Sequence, residues 1–297
     1  MDKISKCLWI VEVLLDSKGL SLKDINNKWE SATGYDGKPI HAKTFGRYKD
    51  YIGEVLGLSI EYSPYTRVYT IMNSEVLKKN KIYSYLLDAF RVSELKTLVV
   101  KHRDKIMINN PISGVEYLNM ILQAIDNEKT ISFSYQSYYT LDKMFHFEVI
   151  PCFVRLFEGR WYLICEYLDK STTRVLALER MSEVLIGRRS VSPSPYINPE
   201  EYYADCYGII NDNKEAEVIK LKVYDKQVDY IRSLPLHQSQ TEDEITEKYS
   251  IFSYYLKPSF DFMQKILWNM DKMEVVRPIK LREEIRNLLK DMLKRYS

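Results

Sequence analysis

The sequence predicts an α+β protein of several domains, and three patterns along its 297 residues support this prediction. Helical patterns followed by a β-hairpin pattern fill the N-terminal part. From Thr130 the apolar period changes to two, which is typical of strands. The C-terminal part alternates strand and helix. We therefore expect a head at 1–74, a helical connector at 75–125, a small β-barrel at 126–192, a linker at 193–215 and a ferredoxin-like α+β domain at 216–297.

The head has the element order of a winged helix-turn-helix. Its first helical pattern ends at Gly19, and Ser21 with Asp24 forms a capping-box start for the second. The third pattern runs from about His41 to Leu56, and two β-patterned runs then flank the turn Ser63–Thr66. In a winged helix-turn-helix, the third helix enters the DNA major groove and the hairpin reaches the backbone or the minor groove.

The third helix begins in a stretch suited to nucleic acid, because residues 38–49 contain no acidic residue. Side chains that contact phosphates and bases are needed at this position. We expect Lys43, Thr44 and Arg47 to face double-stranded DNA, with Lys49 and the hairpin residue Arg67 contacting phosphates. The net charge of +2 is nearly neutral, so nucleic-acid binding must come from such a local patch. The alternative is a three-helix protein–protein module with a solvated basic face.

Strand patterns in the middle of the chain predict a small barrel or a strongly bent sheet. Short strands are expected from Ile131 to Tyr135 and then at 145–157, 160–167, 173–179 and 183–187.

Two of these runs contain the most informative residues of the chain. In the run 160–167, Trp161 and Tyr162 point to opposite faces. In the run 173–179, continued to Arg180, the even spacing places Arg174 and Arg180 on one strand face. Guanidinium groups bind phosphate in a bidentate manner, so this face suits a nucleotide or another anion. The alternative is an ordinary hairpin with a core tryptophan and two surface arginines.

Together these residues resemble a bacterial transcription factor of the WYL-domain family. The resemblance extends over nearly the whole chain and is most specific in the central β region; its motifs are Lys43–Phe45, Val149–Pro151, Arg155, Gly159–Leu163, Arg174–Met181, Pro235–Gln240 and Val275–Pro278. It implies a dimeric, ligand-responsive regulator with a winged helix-turn-helix head, an Sm-like β-barrel and a C-terminal extension called WCX. It also implies that the barrel senses nucleic acid or a nucleotide.

The resemblance further implies which residues form the effector face: Tyr135, Trp161, Tyr162, Arg174 and Arg180. The chain departs from the family pattern at Leu176–Arg180, where an aromatic-Arg-Leu-Asp-Arg run is usual, because Ala177 replaces the inner arginine. One cation is therefore missing. Three other residues are candidates to compensate, namely His146, Arg155 and Arg160; alternatively, the ligand carries less charge.

Other functional classes find little support in the sequence. No P-loop, H-E-x-x-H or G-x-S-x-G motif is present, so we expect neither an enzyme nor a cofactor. The four cysteines lack C-x-x-C spacing, which predicts reduced thiols in a cytoplasmic protein, and the histidines are scattered, which predicts no metal site. We expect no membrane segment. The 24 tyrosines leave a further alternative, a non-catalytic accessory protein that binds single-stranded nucleic acid or another protein.

Overall fold

The computed structural model describes residues 2–17, 19–32, 34–107, 112–138, 140, 143–194, 197–212 and 214–296. It is a mixed α+β structure in two units, Met1–Asn109 and Asn110–Ser297. Within these described ranges, no helix is long and apolar enough to cross a membrane.

The first unit has the helix and hairpin order that the sequence predicts. Its elements are α1 (Lys3–Leu15), α2 (Leu22–Glu30), α3 (Ala42–Leu56), β1 (Ile60–Ser63), β2 (Val68–Ile71), α4 (Glu75–Lys79), α5 (Lys81–Glu94) and α6 (Lys96–Lys101), followed by a 3-10 turn at Arg103–Lys105. The capping box is present, because the side chains of Ser21 and Asp24 each accept a hydrogen bond from the other residue's backbone N–H. Ile25, Phe45 and Ile52 lie in the buried core of this unit.

Side chains of α2 hold the backbone that leads into α3. The Asn26 side chain accepts a hydrogen bond from the Ile40 N–H at 2.6 Å and donates one to the Ile40 carbonyl at 3.1 Å. Trp29 Nε1 donates to the Lys38 carbonyl at 3.1 Å. These three bonds satisfy backbone groups of the segment between α2 and α3 that have no partner in a helix or strand. They fix the position at which α3 begins.

The hairpin is attached to the helices by a short backbone pairing. Leu20 and Tyr69 exchange two N–H···O bonds, of 3.1 and 2.8 Å. Gly19 permits this approach, because its φ is +127° and a Cβ there would lie 2.8 Å from Val68 Cγ2. The hairpin is therefore fixed relative to α1 and α2.

The second unit begins with a helix and a five-stranded antiparallel sheet. Its elements are α7 (Leu118–Asp126), β3 (Lys129–Gln136), β4 (Met144–Phe157), β5 (Arg160–Tyr167), β6 (Thr173–Ala177), a 3-10 turn at Leu178–Arg180 and β7 (Met181–Ser190). The strand order is β6-β5-β4-β3-β7, so the two outermost strands are consecutive in the chain.

This connection requires the sheet to bend. A flat sheet of five strands would place its outer strands ~19 Å apart, since neighbouring strands are ~4.8 Å apart. The four Cα–Cα steps from Ala177 to Met181 span at most ~14 Å even when extended. A hydrogen bond also crosses the concave face, because the Ala177 N–H of β6 donates to the Tyr135 hydroxyl of β3 at 3.3 Å. The sheet is therefore strongly bent, as the strand pattern predicts.

One sequence prediction is wrong in this region. The predicted strand 173–179 ends at Ala177, because Leu178–Arg180 form the 3-10 turn. An extended strand could not reverse from one edge of the sheet to the other within three residues. Arg174 and Arg180 consequently do not share a strand face.

The two faces of the bent sheet pack against different partners. The concave face contains Trp161 and Leu163 and packs against α7. The outer face contains Ile164 and packs against α8 (Pro199–Tyr202) and the residues that follow it. The alternation predicted for β5 is thus confirmed.

The C-terminal part contains a second antiparallel sheet. Its elements are β8 (Glu217–Tyr224), α9 (Gln227–Ser233), β9 (Thr241–Ile245), β10 (Tyr249–Leu256), α10 (Phe260–Trp268), a 3-10 turn at Met270–Lys272, β11 (Met273–Arg277) and α11 (Ile279–Lys294). The strand order is β11-β8-β10-β9. From β8 to β11 this is the β-α-β-β-α-β succession that a ferredoxin-like unit shows. Asp261 attaches the preceding segment to α10 by accepting the N–H groups of Ile209 and Ile210, at 2.8 and 2.9 Å.

Asn26→Ala tests the role of the bonds that precede α3. Losing them leaves the Ile40 N–H and carbonyl without partners, which costs about 1–3 kcal/mol for a buried group. We expect hydrogen exchange in residues 34–41 to become roughly tenfold faster or more, because this segment then opens more readily. Asn127→Ala, which removes a side-chain bond at the end of α7, is the control. Unchanged exchange in the Asn26 variant would show that the segment is held by other contacts.

Candidate functional sites

The start of α3 presents cations to solvent. Lys43 and Arg47 are exposed, while Thr44 and Lys49 are half-buried. Lys43 and Arg47 are one helical turn apart and therefore lie on the same side of the helix. The opposite side carries the buried Phe45.

These cations lack acidic partners among the described residues. No described carboxylate lies within 4.0 Å of Lys43, Arg47, Lys49 or Arg67, whereas Lys6 contacts Asp36 at 2.6 Å in the same unit. Arg67 is the last residue of the hairpin turn, with a left-handed φ of +56°, and is also exposed. Their charge is thus available to a polyanion.

The concave face of the bent sheet carries a row of aromatic rings. The ring of Phe147 lies 6.3 Å from that of Tyr135 and 6.4 Å from that of Tyr167, and it stacks against Phe145 at 6.3 Å. Arg174 ends this row, because its Nε donates to the Tyr167 hydroxyl at 3.1 Å. Phe145 is exposed and Phe147 and Tyr167 are half-buried, so these rings can stack against bases, whereas Tyr135 is buried.

Arg180 lies at the other end of the aromatic row. Its Cζ is 3.7 Å from the centroid of the Tyr138 ring, which is a close cation–π contact. Burial raises the pKa of the Tyr135 hydroxyl, and the neighbouring Arg180 charge opposes this shift. A cation therefore stands at each end of the row.

A charged cluster surrounds the 3-10 turn at the rim of the sheet. Arg160 Nη1 lies 3.3 Å from Glu179 Oε1. Both carboxylate oxygens of Glu179 and the Nε of Arg180 are buried without a hydrogen-bond partner among the described residues. Burial raises the pKa of Tyr162; Arg160 and Arg180 lower it, and Glu179 raises it further. Tyr162 therefore belongs to this cluster.

The position of the missing arginine lies beside Tyr162. Arg155, Tyr162 and Ala177 stand opposite one another on β4, β5 and β6. Arg155 is held against the Tyr203 ring, with Cζ 3.8 Å from its centroid, and burial lowers the pKa of its guanidinium. Arg160 is thus the candidate compensating cation that the structure brings to the 3-10 turn.

His146 lies apart from the arginine cluster. It is exposed on the outer face, where its Nδ1 is 2.8 Å from Ser134 Oγ, and Ser134 in turn donates to Glu183 at 2.7 Å. In the part of the chain that the structure describes, no three His, Cys, Asp or Glu side chains are grouped closely enough to hold a metal ion.

The structure therefore groups only some of the predicted effector residues. Tyr135, Tyr162 and Arg180 meet at the 3-10 turn, Arg174 lies at the far end of the aromatic row, and the half-buried Trp161 packs against the core. The sequence reasoning missed four aromatic residues and assigned no role to one acid: Tyr138, Phe145, Phe147, Tyr167 and Glu179. The strand register that pairs Tyr135 with Phe145 would have revealed the aromatic row, but the spacing of the residues does not give that register.

Gly114 fixes the turn that organises this cluster. A Cβ on Gly114 would lie 2.7 Å from Leu178 Cβ and 3.3 Å from the Glu179 nitrogen, and φ at Gly114 is +79°.

Gly114→Ala should therefore displace the turn. The left-handed backbone alone costs roughly 1–2 kcal/mol for a residue with a Cβ, and the contact with Leu178 adds to this. We expect a lower melting temperature for the second unit, measured by calorimetry. Gly159→Ala is the matched control, since φ there is +77° but a Cβ would meet nothing within 4 Å. Equal decreases in melting temperature in the two variants would show that the contact of Gly114 with the turn contributes nothing.

Comparisons with known proteins find similarity to a domain family and to solved structures. No curated protein matches the chain. Among solved structures, it is similar to the proteasome accessory factor B/C (PafBC) of Arthrobacter aurescens, with 16% identity, a TM-score of 0.34 and coverage of 95% of this chain but only 45% of that protein. It is also similar to a CRISPR Cas-related protein, with 15% identity, a TM-score of 0.40 and coverage of 99% of this chain and 84% of that one. Residues 116–186 match the WYL domain, and the resemblance to that domain is therefore confirmed for this segment.

Proposed function

We propose that this protein is a non-catalytic, DNA-binding transcriptional regulator whose WYL domain binds an effector of the nucleic-acid or nucleotide class. The first unit would act as a winged helix-turn-helix, and the bent sheet as an Sm-like barrel. The observation that carries the proposal is the pair of exposed, unpaired cations Lys43 and Arg47 at the start of α3.

The surroundings of this pair support DNA binding. The N-cap residue His41 makes no side-chain hydrogen bond to the helix, so backbone N–H groups at the start of α3 are available to phosphate oxygens. On the hairpin, Tyr65 is 98% exposed and Arg67 follows two residues later. A helix for the groove and a hairpin for the backbone are the two contacts that a winged helix-turn-helix makes.

The concave face of the WYL domain supports binding of the effector. Its aromatic row can stack against bases, and the arginines at its two ends can contact phosphates. Stacking together with charge is typical of proteins that bind single-stranded nucleic acid.

We infer that effector binding acts on DNA binding through a population shift. The protein would work as a homodimer in the bacterial cytoplasm, because two-fold symmetric regulators contact two half-sites. An effector that binds one dimer geometry better than another changes the fraction of molecules whose heads match the operator spacing.

A second candidate function is an accessory protein that binds single-stranded nucleic acid without an operator. The aromatic row favours it, because stacking requires no base sequence. The two candidates differ in the head, since only the regulator needs Lys43 and Arg47 for binding to a duplex.

The double variant Lys43→Ala/Arg47→Ala tests the regulator. Sheared genomic DNA would first be captured by the purified protein at ~150 mM salt, where non-specific phosphate binding is weak, and then sequenced. On the enriched duplex we expect the double variant to bind at least about tenfold more weakly and to lower the salt slope by about 2. The control is Lys226→Ala/Lys280→Ala, which removes two exposed cations of the second unit. Unchanged duplex binding in the head variant would contradict the proposal.

Tyr138→Ala tests the Arg180 end of the aromatic row. This ring covers Arg180 and is 56% exposed, so its removal leaves the core intact. We expect binding of a single-stranded oligonucleotide of about 10 nucleotides to weaken about 5- to 150-fold, since one base–aromatic stack is worth about 1–3 kcal/mol. Fluorescence anisotropy in the Lys43→Ala/Arg47→Ala background would measure the affinity for this oligonucleotide without a contribution from the head. Tyr255→Ala is the control, because Tyr255 is equally exposed at 56% and lies on β10. An equal effect of both substitutions would remove the row from the binding site.

A further inference from the structure

Glu179 occupies the rim of the WYL domain without the partners that a buried carboxylate needs. Both of its oxygens are buried and lack hydrogen bonds among the described residues. Its ionic contact is with Arg160 Nη1 at 3.3 Å, in a geometry that forms no hydrogen bond. A carboxylate removed from water without hydrogen bonds is unstable relative to the hydrated group. The Glu179 side chain is therefore only weakly held where it lies.

The arginines around Glu179 also have unused donors. The Nε of Arg180 is buried without an acceptor, while its guanidinium covers the Tyr138 ring. The Arg160 side chain is 49% exposed, so part of it is already accessible. Arg160 Nη1, however, already faces the Glu179 carboxylate at 3.3 Å. An incoming anion must therefore displace this carboxylate.

Only the side chain needs to move for such an exchange. Leu178 precedes Glu179, is fully buried and holds the 3-10 turn against the core. Rotation of the Glu179 side chain would place the carboxylate in water, where it recovers its hydration, and would release Arg160.

We propose that Glu179 is an internal competitor that holds the anion position of this site, and that a terminal phosphate of a nucleotide or an oligonucleotide displaces it. This proposal rests on the effector binding proposed above and names the ligand group that the site selects. The receiving groups are the guanidiniums of Arg160 and Arg180, with the hydroxyls of Tyr135 and Tyr162 beside them.

The charges around the turn explain why a terminal phosphate is favoured. Arg160, Arg180 and Glu179 together carry one net positive charge while Glu179 is in place. Asp261, the other carboxylate that acts on Tyr162, is held by the N–H groups of Ile209 and Ile210. A phosphodiester carries one negative charge and would merely replace the charge of Glu179. A terminal phosphate carries about −1.5 to −2 and three acceptor oxygens, which suits two guanidiniums once Glu179 has left.

Glu179→Gln tests this competition, because glutamine keeps the size of the side chain and removes its charge. Binding of a 5′-phosphorylated single strand, the same strand with a 5′-hydroxyl, and a nucleoside 5′-monophosphate would be measured in the full chain carrying Lys43→Ala/Arg47→Ala. We expect the phosphorylated strand to bind about tenfold more tightly than the hydroxyl strand, and Glu179→Gln to tighten its binding about another tenfold. Arg160→Gln should weaken it about tenfold.

Controls separate charge at the site from charge elsewhere. Glu247→Gln removes an exposed carboxylate in the turn between β9 and β10 and should change nothing. The melting temperature of Glu179→Gln should equal or exceed that of the parent chain, since a buried charge with few partners is lost. Binding of the monophosphate as tightly as the strand would identify the terminal phosphate of a nucleotide as sufficient; much weaker binding would identify the phosphorylated end of a strand.

Two results would overturn the proposal. One is equal or weaker binding of the phosphorylated strand by Glu179→Gln, which would show that Glu179 does not compete. The other is equal affinity for the phosphorylated and hydroxyl strands, which would show that terminal phosphate is not selected. The proposed regulation can fail separately. If the chain with its native head binds duplex DNA but none of the variants binds a probe, the effector role is contradicted, and so is this proposal. If the phosphorylated strand and Glu179→Gln behave as expected but duplex DNA does not bind, the phosphate site is supported and the proposed regulator is contradicted.

Discussion

The connection of β6 to β7 through three residues is the constraint on which the central domain depends. These strands are the two edges of the sheet, and Leu178–Arg180 is too short to join them unless the sheet bends. Bending creates the concave face that α7 and the aromatic side chains fill. It also brings the Tyr135 hydroxyl of β3 to the backbone of β6, although β4 and β5 lie between these two strands in the sheet.

The same turn gathers the charged groups of the candidate effector site. Its first residue, Leu178, is buried and fixes the turn, while the next two place a carboxylate and a guanidinium at the rim. Because the rim is shared by both faces, Tyr135 from the concave face and Tyr162 from the outer face both experience the charges of Glu179 and Arg180. A ligand that binds there would therefore act on both sides of the sheet, and the outer side packs against the segment that leads to the C-terminal domain.

The sequence could predict the features that depend on local patterns. The capping box at Ser21, the alternation along β5 and the succession of strands and helices after Glu217 all follow from spacing alone. The end of β6 could not be predicted, because Leu176 and Leu178 continue a strand pattern and only the closure of the sheet ends the strand at Ala177. Likewise, the register that aligns Phe147 with the tyrosines depends on pairing between strands, and the contact of Arg155 with Tyr203 joins residues far apart in sequence.

The cationic side chains of the two units differ in their internal partners. In the head, Lys43 and Arg47 have no acidic partner among the described residues, so a polyanion can bind without breaking an internal contact. Such binding is strong at low salt and says little about the ligand beyond its charge. In the WYL domain, Arg174 contacts Tyr167, Arg180 contacts Tyr138 and Arg160 contacts Glu179. A ligand there must interact with each arginine more strongly than its internal partner does, and this requirement favours selectivity over affinity. Under the proposed function, the head would therefore bind DNA through unpaired charge, and the WYL domain would discriminate among smaller anions.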